Sequence, residues 1–278
     1  MNRILCSILL LALSTVCNAI DLKEWKMQRE GDRQSYEVTL PCTVAAALNE
    51  AGVLGENVLE EDNYLKIDKS LFDSPWIFST KFDAPKGLRH VLRFEGISYS
   101  ADIWVNGKQI ASADTTFGAF CVREFDITAI AKQHNSLKVR VFKAPKASLN
   151  NGYVDWNPRP VDESMGIWRK VELISTPDVQ IEDLFVKPLV DVNDLSKAAI
   201  QVEATLVNRS NSAVSGTLRG VYDSGQFEKK VNLSAGETKT ITLVESIMKP
   251  RIWWSHDMGK PELYKAHPQS SGYDYPKI

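Results

Sequence analysis

Asp155 and Trp156 are neighbouring side chains that could together bind a sugar. A carboxylate can accept hydrogen bonds from two hydroxyl groups, and an indole ring can cover the apolar C–H face of a pyranose. The pair is followed by Asn157–Pro158 and Arg159–Pro160, whose prolines restrain the backbone away from helix. We therefore predict a loop at this position. The alternative, in which Trp156 is a core residue, is open at this stage.

A strand is predicted directly after this loop. Over residues 167–173 the side chains alternate with the period of two that is typical of a β-strand. The side chains expected on its core face are Ile167, Arg169, Val171 and Leu173. A polar, aromatic-rich loop that runs into a buried strand is where a β-sandwich usually presents its ligand-binding side chains.

Two elements upstream have clear sequence signals at their ends. Thr43 is suited to cap the N-terminus of a helix over residues 44–51, and Gly52 is suited to end that helix. Asn106–Gly107 fits the positive φ angles of a type I′ turn. Residues 101–110 are therefore predicted to form a hairpin.

Period-two alternation dominates the chain after Pro75, and the strands become shorter near residue 178. The strands predicted beyond that point cover Ile181–Leu189, Ala199–Val207, Leu218–Tyr222, Phe227–Leu233 and Thr238–Val244. We therefore predict an all-β chain with one sandwich over residues 21–177 and a second over residues 178–265. Residues 266–278 are rich in turn formers and lack alternation. They predict an irregular tail and a second sandwich that is incomplete, because its last strand would be missing.

The motifs around the candidate site resemble those of glycoside hydrolase family 2. Asp-Trp-Asn-Pro at residues 155–158, followed by Asp162 and by Met-Gly-Ile-Trp-Arg at residues 165–169, resembles the end of that family's N-terminal sugar-binding domain. The hairpin over residues 101–110 resembles the same domain, and residues 253–264 resemble the family's immunoglobulin-like domain. The Asp-Trp-Asn-Pro version looks most similar to the exo-β-glucosaminidase and β-mannosidase branch.

This resemblance implies a jelly-roll, galactose-binding-like sandwich followed by an immunoglobulin-like sandwich, both belonging to a glycosidase. Hydrolysis in such enzymes requires two carboxylic acids that flank the glycosidic bond. In family 2 both are glutamates of a (β/α)8 barrel, which the resemblance leaves outside this chain, so no residue here is expected to be catalytic. Asp155, with Trp156 beside it, resembles an auxiliary position that contacts the terminal sugar in the barrel pocket.

Three hypotheses about function are compatible with this resemblance. In the first, the chain is the non-catalytic N-terminal part of an exported family 2 enzyme, produced as a fragment by truncation or gene disruption, with an oligosaccharide or glycan as substrate and a catalytic barrel supplied elsewhere. In the second, the chain is a free-standing secreted carbohydrate-binding module, since jelly rolls bind glycans unaided. In the third, it is a structural module that packs against a separate barrel chain. Sugar specificity in this family is set mainly by the barrel, so the sequence does not identify the sugar.

The N-terminus has the features of a cleavable secretory signal over residues 1–19. Arg3 supplies a positive charge, residues 4–16 form an apolar run, and small residues ending at Ala19 suit a cleavage site. The apolar run is shorter than the ~20 residues needed to span a bilayer. We therefore predict a secreted or periplasmic protein without membrane insertion.

Composition argues against other classes of partner. The chain has 33 Lys and Arg residues against 35 Asp and Glu residues, so nucleic acid is not expected as a partner. No Cys or His cluster has the spacing of a metal site, and no cofactor is predicted. His90 lies on the apolar face of a predicted strand and is interpreted as a hydrogen-bonded core imidazole. Export would permit a disulfide between Cys42 and Cys121. The alternative of two small buried residues stays open, as does the oligomeric state.

Overall fold

The structure, a computed structural model, describes residues 18–58, 60–86, 88–145, 148, 156, 159–222, 225–264 and 266–270. The chain divides into two compact units, one comprising Asn18–Ser175 and a second that begins at Thr176. The sequence placed this boundary between residues 177 and 178, two residues further along. Both units are built from β-sheets, which confirms the all-β prediction.

The first unit has twelve strands among its described residues. They are β1 (Asn18–Asp21), β2 (Glu24–Arg29), β3 (Ser35–Thr39), β4 (Cys42–Thr43), β5 (Trp76–Asp83), β6 (Arg89–Phe94), β7 (Ser100–Val105), β8 (Lys108–Ala111), β9 (Arg123–Asp126), β10 (His134–Phe142), β11 (Gly166–Ile167) and β12 (Val171–Thr176). A four-stranded sheet has the order β1-β12-β6-β9, and a six-stranded antiparallel sheet has the order β3-β2-β5-β10-β7-β8. The remaining two strands, β11 and β4, pair with each other.

The two larger sheets share one hydrophobic core. Phe78 and Val139 come from the six-stranded sheet, Phe94 and Leu173 come from the four-stranded sheet, and all four side chains are fully buried. Alternate positions along each strand face this core, because successive side chains of a strand point to opposite faces. The arrangement confirms the predicted jelly-roll sandwich.

The predicted helix and hairpin are both present. Helix α1 spans Val44–Glu50, and the Thr43 hydroxyl oxygen accepts a hydrogen bond from the Ala46 amide at 3.2 Å. At the tip of the hairpin Asn106 and Gly107 both have positive φ, at 52° and 81°, as a type I′ turn requires. Local sequence signals were sufficient here because each element's ends are set by its own residues.

The single strand predicted over residues 167–173 is wrong, because it is interrupted. Strand β11 ends at Ile167 and β12 begins at Val171, and Arg169 is exposed rather than on the core face. The Trp168 indole donates a hydrogen bond to the Ala119 carbonyl at 2.8 Å, and the Arg169 guanidinium stacks over the same indole at 4.6 Å. A buried guanidinium without a partner would be costly, so the chain turns Arg169 outward.

The second unit is a sandwich of two three-stranded sheets. Its strands are β13 (Val179–Val190), β14 (Lys197–Asn208), β15 (Val214–Tyr222), β16 (Gly225–Leu233), β17 (Thr238–Met248) and β18 (Ala266–Ser270). The sheet orders are β13-β14-β17 and β16-β15-β18, and residues from both sheets form one core that includes Val202, Phe227 and Ile241. The five strands predicted for this unit are all confirmed, and so is its immunoglobulin-like class. The prediction that strands become shorter after residue 178 is wrong, because these five strands are 9 to 12 residues long.

The predicted irregular tail is wrong for residues 266–270. Strand β18 pairs antiparallel with β15, so that Ala266 lies opposite Tyr222 and Ser270 lies opposite Leu218. This pairing uses main-chain groups, which do not require alternating side chains, and Pro268 is tolerated because β18 lies at the edge of its sheet. With β18 the described part of this unit has six strands, close to the roughly seven of a constant-type immunoglobulin domain. Residues 271–278 lie outside the described residues.

Candidate functional site

Trp156 lies in a turn of the chain, and 86% of its surface is exposed to solvent. The alternative in which Trp156 is a core residue is therefore wrong. An indole in this position can offer its apolar face to a ligand and its N–H to water. Asp155 lies outside the described residues, so its contact with a sugar stays a prediction.

Asp162 holds the C-terminal base of this loop in place. Its buried carboxylate accepts hydrogen bonds from the amide of Ala45 at 2.8 Å and from the amide of Ser164 at 2.9 Å. Ala45 is in the first turn of α1, where main-chain amides have no partner within the helix. Burial raises the pKa of Asp162, and these amide hydrogen bonds lower it by a smaller amount. The acidic residue of the family-like motif is therefore a structural anchor.

Gly166 fixes the same segment through close main-chain contacts. Its amide donates to the Ser98 carbonyl at 2.8 Å, and its own carbonyl accepts from the Ser98 amide at 2.9 Å. A Cβ atom at Gly166 would lie 2.5 Å from the carbonyl oxygen of Cys42, and φ at this residue is +153°. Only glycine fits this position, so the loop that carries Trp156 is followed by a rigid base.

Further aromatic side chains on the surface of the first unit were not assigned from the sequence. Phe117 and Phe120 are both exposed, and Phe120 packs edge-to-face on Trp168 with ring centroids 5.0 Å apart. In the sequence, Gly118-Ala-Phe120 also resembles the N-terminal domain of the family, but this resemblance predicts no contact between Phe120 and Trp168. An edge-to-face pair fixes the orientation of both rings and adds a rigid apolar surface to this unit.

Two polar residues that invite a catalytic interpretation have structural partners. Asp102 accepts hydrogen bonds from the Arg140 guanidinium at 2.6 and 3.1 Å, and these bonds contribute to a raised pKa of Arg140. His90 is buried, and its Nδ1 lies 2.9 Å from the Ser175 hydroxyl. Burial lowers the pKa of His90, which keeps the imidazole neutral. The interpretation of His90 as a hydrogen-bonded core residue is confirmed.

The two cysteines of the first unit are not bridged. Cys42 is half-buried and Cys121 is exposed, so the alternative of two buried residues is wrong for Cys121. Burial raises the pKa of Cys42 to about 11, and the nearby Glu50 carboxylate acts in the same direction. The Cys42 thiol is therefore protonated at neutral pH and unreactive.

Within the described part of the chain no group of three or more His, Cys, Asp and Glu side chains could hold a metal ion. Over the same residues no helix is long and apolar enough to cross a membrane.

A jelly-roll sandwich with a loop-borne indole, followed by an immunoglobulin-like sandwich, defines a class of all-β proteins that bind ligands at loops. The family model described as "Glycosyl hydrolase 2 galactose-binding domain-like" matches residues 25–150, and the model described as "Glycosyl hydrolases family 2" matches residues 179–269. Together the two matches cover most of the chain. This protein belongs to glycosyl hydrolase family 2, as its motifs indicated.

Known relatives match both units. An exo-β-D-glucosaminidase of Hypocrea virens is 34% identical over 240 residues, which is 82% of this chain and 27% of the relative. One from Streptomyces avermitilis is 33% identical over 82% of this chain and 26% of the relative. The crystal structure of an exo-chitosanase from Amycolatopsis orientalis superposes with a TM-score of 0.78 at 27% identity, over 94% of this chain and 33% of that one. The chain therefore spans about a quarter to a third of the length of these proteins.

Proposed function

We propose that this chain is the N-terminal, non-catalytic part of an exported exo-β-D-glucosaminidase of family 2. It would present Asp155 and Trp156 to the terminal sugar of a glucosamine-containing oligosaccharide. The observation that carries this proposal is the match of both sandwiches to exo-β-D-glucosaminidases of which the chain spans only 27%. The remaining length of such a relative is sufficient for a catalytic barrel.

The surroundings of the buried carboxylates support a non-catalytic role. Glycoside hydrolysis needs two carboxyl groups about 5–5.5 Å apart when configuration is retained, and both must face the substrate. Asp102 and Asp162 are the buried carboxylates of the described residues. Asp102 is bound to Arg140 and the amide of Ala113, and Asp162 is bound to main-chain amides. Both carboxylates are thus bound by groups of the protein itself, as is typical of buried structural residues.

The role proposed for the loop pair is to fix the sugar in the pocket of the barrel. The Asp155 carboxylate would accept hydrogen bonds from hydroxyl groups, each contributing about 1.5–3 kcal/mol when charge-assisted. The Trp156 indole would cover the apolar face of the ring, which its high exposure permits. In an open loop water competes for these groups, so they gain most of their effect once a barrel closes the pocket.

The test compares the isolated chain with a version joined to the barrel of an exo-β-D-glucosaminidase relative. Turnover of an aryl β-D-glucosaminide is measured for both, together with Asp155→Ala and Trp156→Ala in the joined enzyme. We expect no turnover by the isolated chain. In the joined enzyme each substitution should lower kcat/KM by roughly 10–150-fold, the equivalent of one or two lost interactions.

Matched controls are Asp32→Ala, an exposed carboxylate of the first unit, and Phe185→Ala, an exposed aromatic residue on β13. Both should leave kcat/KM within about twofold, as expected for surface changes. Turnover by the isolated chain, or an unchanged kcat/KM in both loop variants, would contradict the proposal. Tight binding of glucosamine oligosaccharides by the isolated chain, lost in Trp156→Ala, would instead support a free-standing carbohydrate-binding module.

Export is part of the same proposal, and the first strand of the fold overlaps the predicted cleavage site. Strand β1 begins at Asn18, which pairs with Ser175, and Ala19 pairs with Ile174. Cleavage after Ala19 would remove these two pairs and leave those of Ile20 and Asp21. N-terminal sequencing of the chain recovered from a secreting or periplasmic fraction should give Ile20 as the first residue. Recovery of the uncleaved chain from the cytoplasm would contradict export.

A further inference from the structure

A cleft of about 690 Å³ lies on the face of the six-stranded sheet that is opposite the hydrophobic core. All of its lining residues among those described belong to the first unit, and Trp156 is not one of them. Its volume falls within the ~300–1,000 Å³ that is typical of small-ligand sites. The side chains that matter for its chemistry are Lys26, Ser79, Lys81, Trp104, Ser136 and Lys138.

The strand register places these side chains in two rows on one face. Ser79 lies opposite both Lys26 and Lys138, and Lys138 lies opposite Trp104, so one row crosses β2, β5, β10 and β7. With about 4.8 Å between neighbouring strands, this row is roughly 14 Å long. In the second row Lys81 lies opposite Ser136. The result is a polar platform with an indole at one end.

Two positive charges on this platform lack a carboxylate partner. The Lys26 ammonium is paired with Glu37 at 2.9 Å, whereas Lys81 and Lys138 are exposed and have no ion pair among the described residues. The Lys138 ammonium instead lies 4.2 Å from the centroid of the Trp104 ring. Nearby Arg140 is already compensated, because it binds both Asp102 and Glu30. The cleft is also lined by Glu24, which accepts a hydrogen bond from the Thr39 hydroxyl. Its three lysines against two glutamates therefore give the lining a net charge of +1 next to a half-buried aromatic ring.

We propose that this cleft binds a glycan segment that carries a carboxylate, such as an oligosaccharide containing uronic acid, at a site separate from the Asp155–Trp156 loop. The carboxylate would lie between the ammonium groups of Lys81 and Lys138, and the pyranose ring would cover Trp104. The hydroxyls of Ser79 and Ser136 would bind those of the sugar. This site does not rest on the proposed function, because none of its residues belongs to the loop.

The contact between Lys138 and Trp104 does not prevent this arrangement. An exposed cation–π contact is weaker than a charge-assisted hydrogen bond to a carboxylate. The flexible Lys138 side chain can therefore leave the ring and bind the ligand. This exposes the part of the indole that the Arg140 guanidinium, 5.5 Å from the ring centroid, does not contact. A neutral glycan has no carboxylate, so it would offer Lys138 no stronger contact in place of the one with Trp104. The cleft is thus expected to prefer acidic sugars over neutral ones of the same length.

The test measures binding of trigalacturonate to the full chain by calorimetry at low ionic strength. Neutral galactotriose and a short single-stranded oligonucleotide serve as comparison ligands. We expect binding of trigalacturonate that weakens with added salt, at least tenfold weaker binding of galactotriose, and no comparable binding of the oligonucleotide. The double variant Lys81→Ser with Lys138→Ser should weaken binding at least about tenfold and abolish its salt dependence.

The matched control changes two exposed lysines of the second unit, Lys187→Ser with Lys230→Ser, which alters the net charge equally. It should leave affinity for trigalacturonate within about twofold. Trp104→Ala should weaken binding about tenfold, and Trp104→Phe, which retains a ring and protects the fold, should weaken it less. Undetectable binding, equal binding of galactotriose or the oligonucleotide, or equal losses in the control would overturn the proposal. None of these outcomes bears on glucosaminide turnover by the joined enzyme.

Discussion

The Asp162 carboxylate is buried, and its two oxygens accept hydrogen bonds from the amides of Ala45 and Ser164. In Asp162→Asn only one side-chain atom can still accept, so one of these amides would face an NH2 group. We expect this substitution to lower the free energy of unfolding at neutral pH by about 1–3 kcal/mol. Urea unfolding of both proteins provides the measurement.

The same residue should produce a pH dependence of known sign. Because burial raises the pKa of Asp162 in the folded chain, its contribution to stability is full below the unfolded pKa and is lost as pH rises through the folded pKa. The stability difference between wild type and Asp162→Asn should therefore widen on acidification from about pH 7 towards pH 4. Asp194→Asn is the contrast, because hydrogen bonds from Ser196 and Lys197 lower the pKa of this exposed carboxyl. The stability difference between wild type and Asp194→Asn should therefore narrow on acidification. If the stability difference between wild type and Asp162→Asn narrowed on acidification, the assignment of Asp162 as a buried anchor would be contradicted.

At the scale of elements, Gly166 is the residue that joins β11 to the rest of the first unit. In Gly166→Ala the new Cβ would meet the carbonyl oxygen of Cys42 at 2.5 Å, and this backbone contact cannot yield without moving β4. We expect destabilisation of the first unit by roughly 2 kcal/mol or more in thermal unfolding. Gly216→Ala is the matched control, because a Cβ there meets no atom within 4 Å. Equal effects of the two substitutions would show that the close contact at Gly166 is not limiting.

Strand β18 should protect the sheet that it borders. It pairs with Leu218–Tyr222 of β15, and its removal would expose the main-chain groups of that strand. A chain that ends at Lys265 should therefore aggregate more readily than one that ends at Ser270, as measured by light scattering over time at equal concentrations. Similar scattering from both chains would mean that β18 contributes little to covering the edge.

The elements that could be predicted from the sequence are those whose signals are local. Alternation identified the strands of the second unit, and Thr43 and Asn106–Gly107 specified a helix start and a turn from their own chemistry. Strand β18 was missed because it is held by main-chain pairing to β15, far away in sequence. The break after Ile167 was missed because it depends on stacking of Arg169 on Trp168 and on a hydrogen bond to Ala119, none of which alternation encodes.

The candidate site shows the same division between local and distant information. Residue types identified Asp155–Trp156 as a pair suited to sugars, but they did not separate an exposed Trp156 from a buried one, because an indole suits both environments. The cleft around Trp104 was missed altogether. Its side chains come from five strands, β2, β3, β5, β7 and β10, and only the sheet order brings them together.

At the scale of the whole molecule, the second unit has apolar side chains on its surface that are exposed to water in the isolated chain. A cleft of about 430 Å³ is lined largely by apolar side chains, among them Ile247, Trp253 and Leu263. Trp253 and Leu263 are 57% and 73% exposed, and Met248 beside Ile247 in the chain is 72% exposed. Exposed apolar surface of this kind promotes association.

We therefore expect the isolated chain to self-associate through this surface of the second unit. Light scattering combined with size-exclusion chromatography should show an apparent mass that rises with protein concentration and with added sulfate, which strengthens burial of apolar surface. The double variant Trp253→Ser with Leu263→Ser should stay monomeric over the same range, whereas Trp156→Ser, which removes an even more exposed indole from the first unit, should behave as wild type. The melting temperature of the double variant should match that of wild type, because the side chains of Trp253 and Leu263 lie largely in solvent. Association that persists in the double variant, or that disappears in Trp156→Ser, would place the associating surface elsewhere.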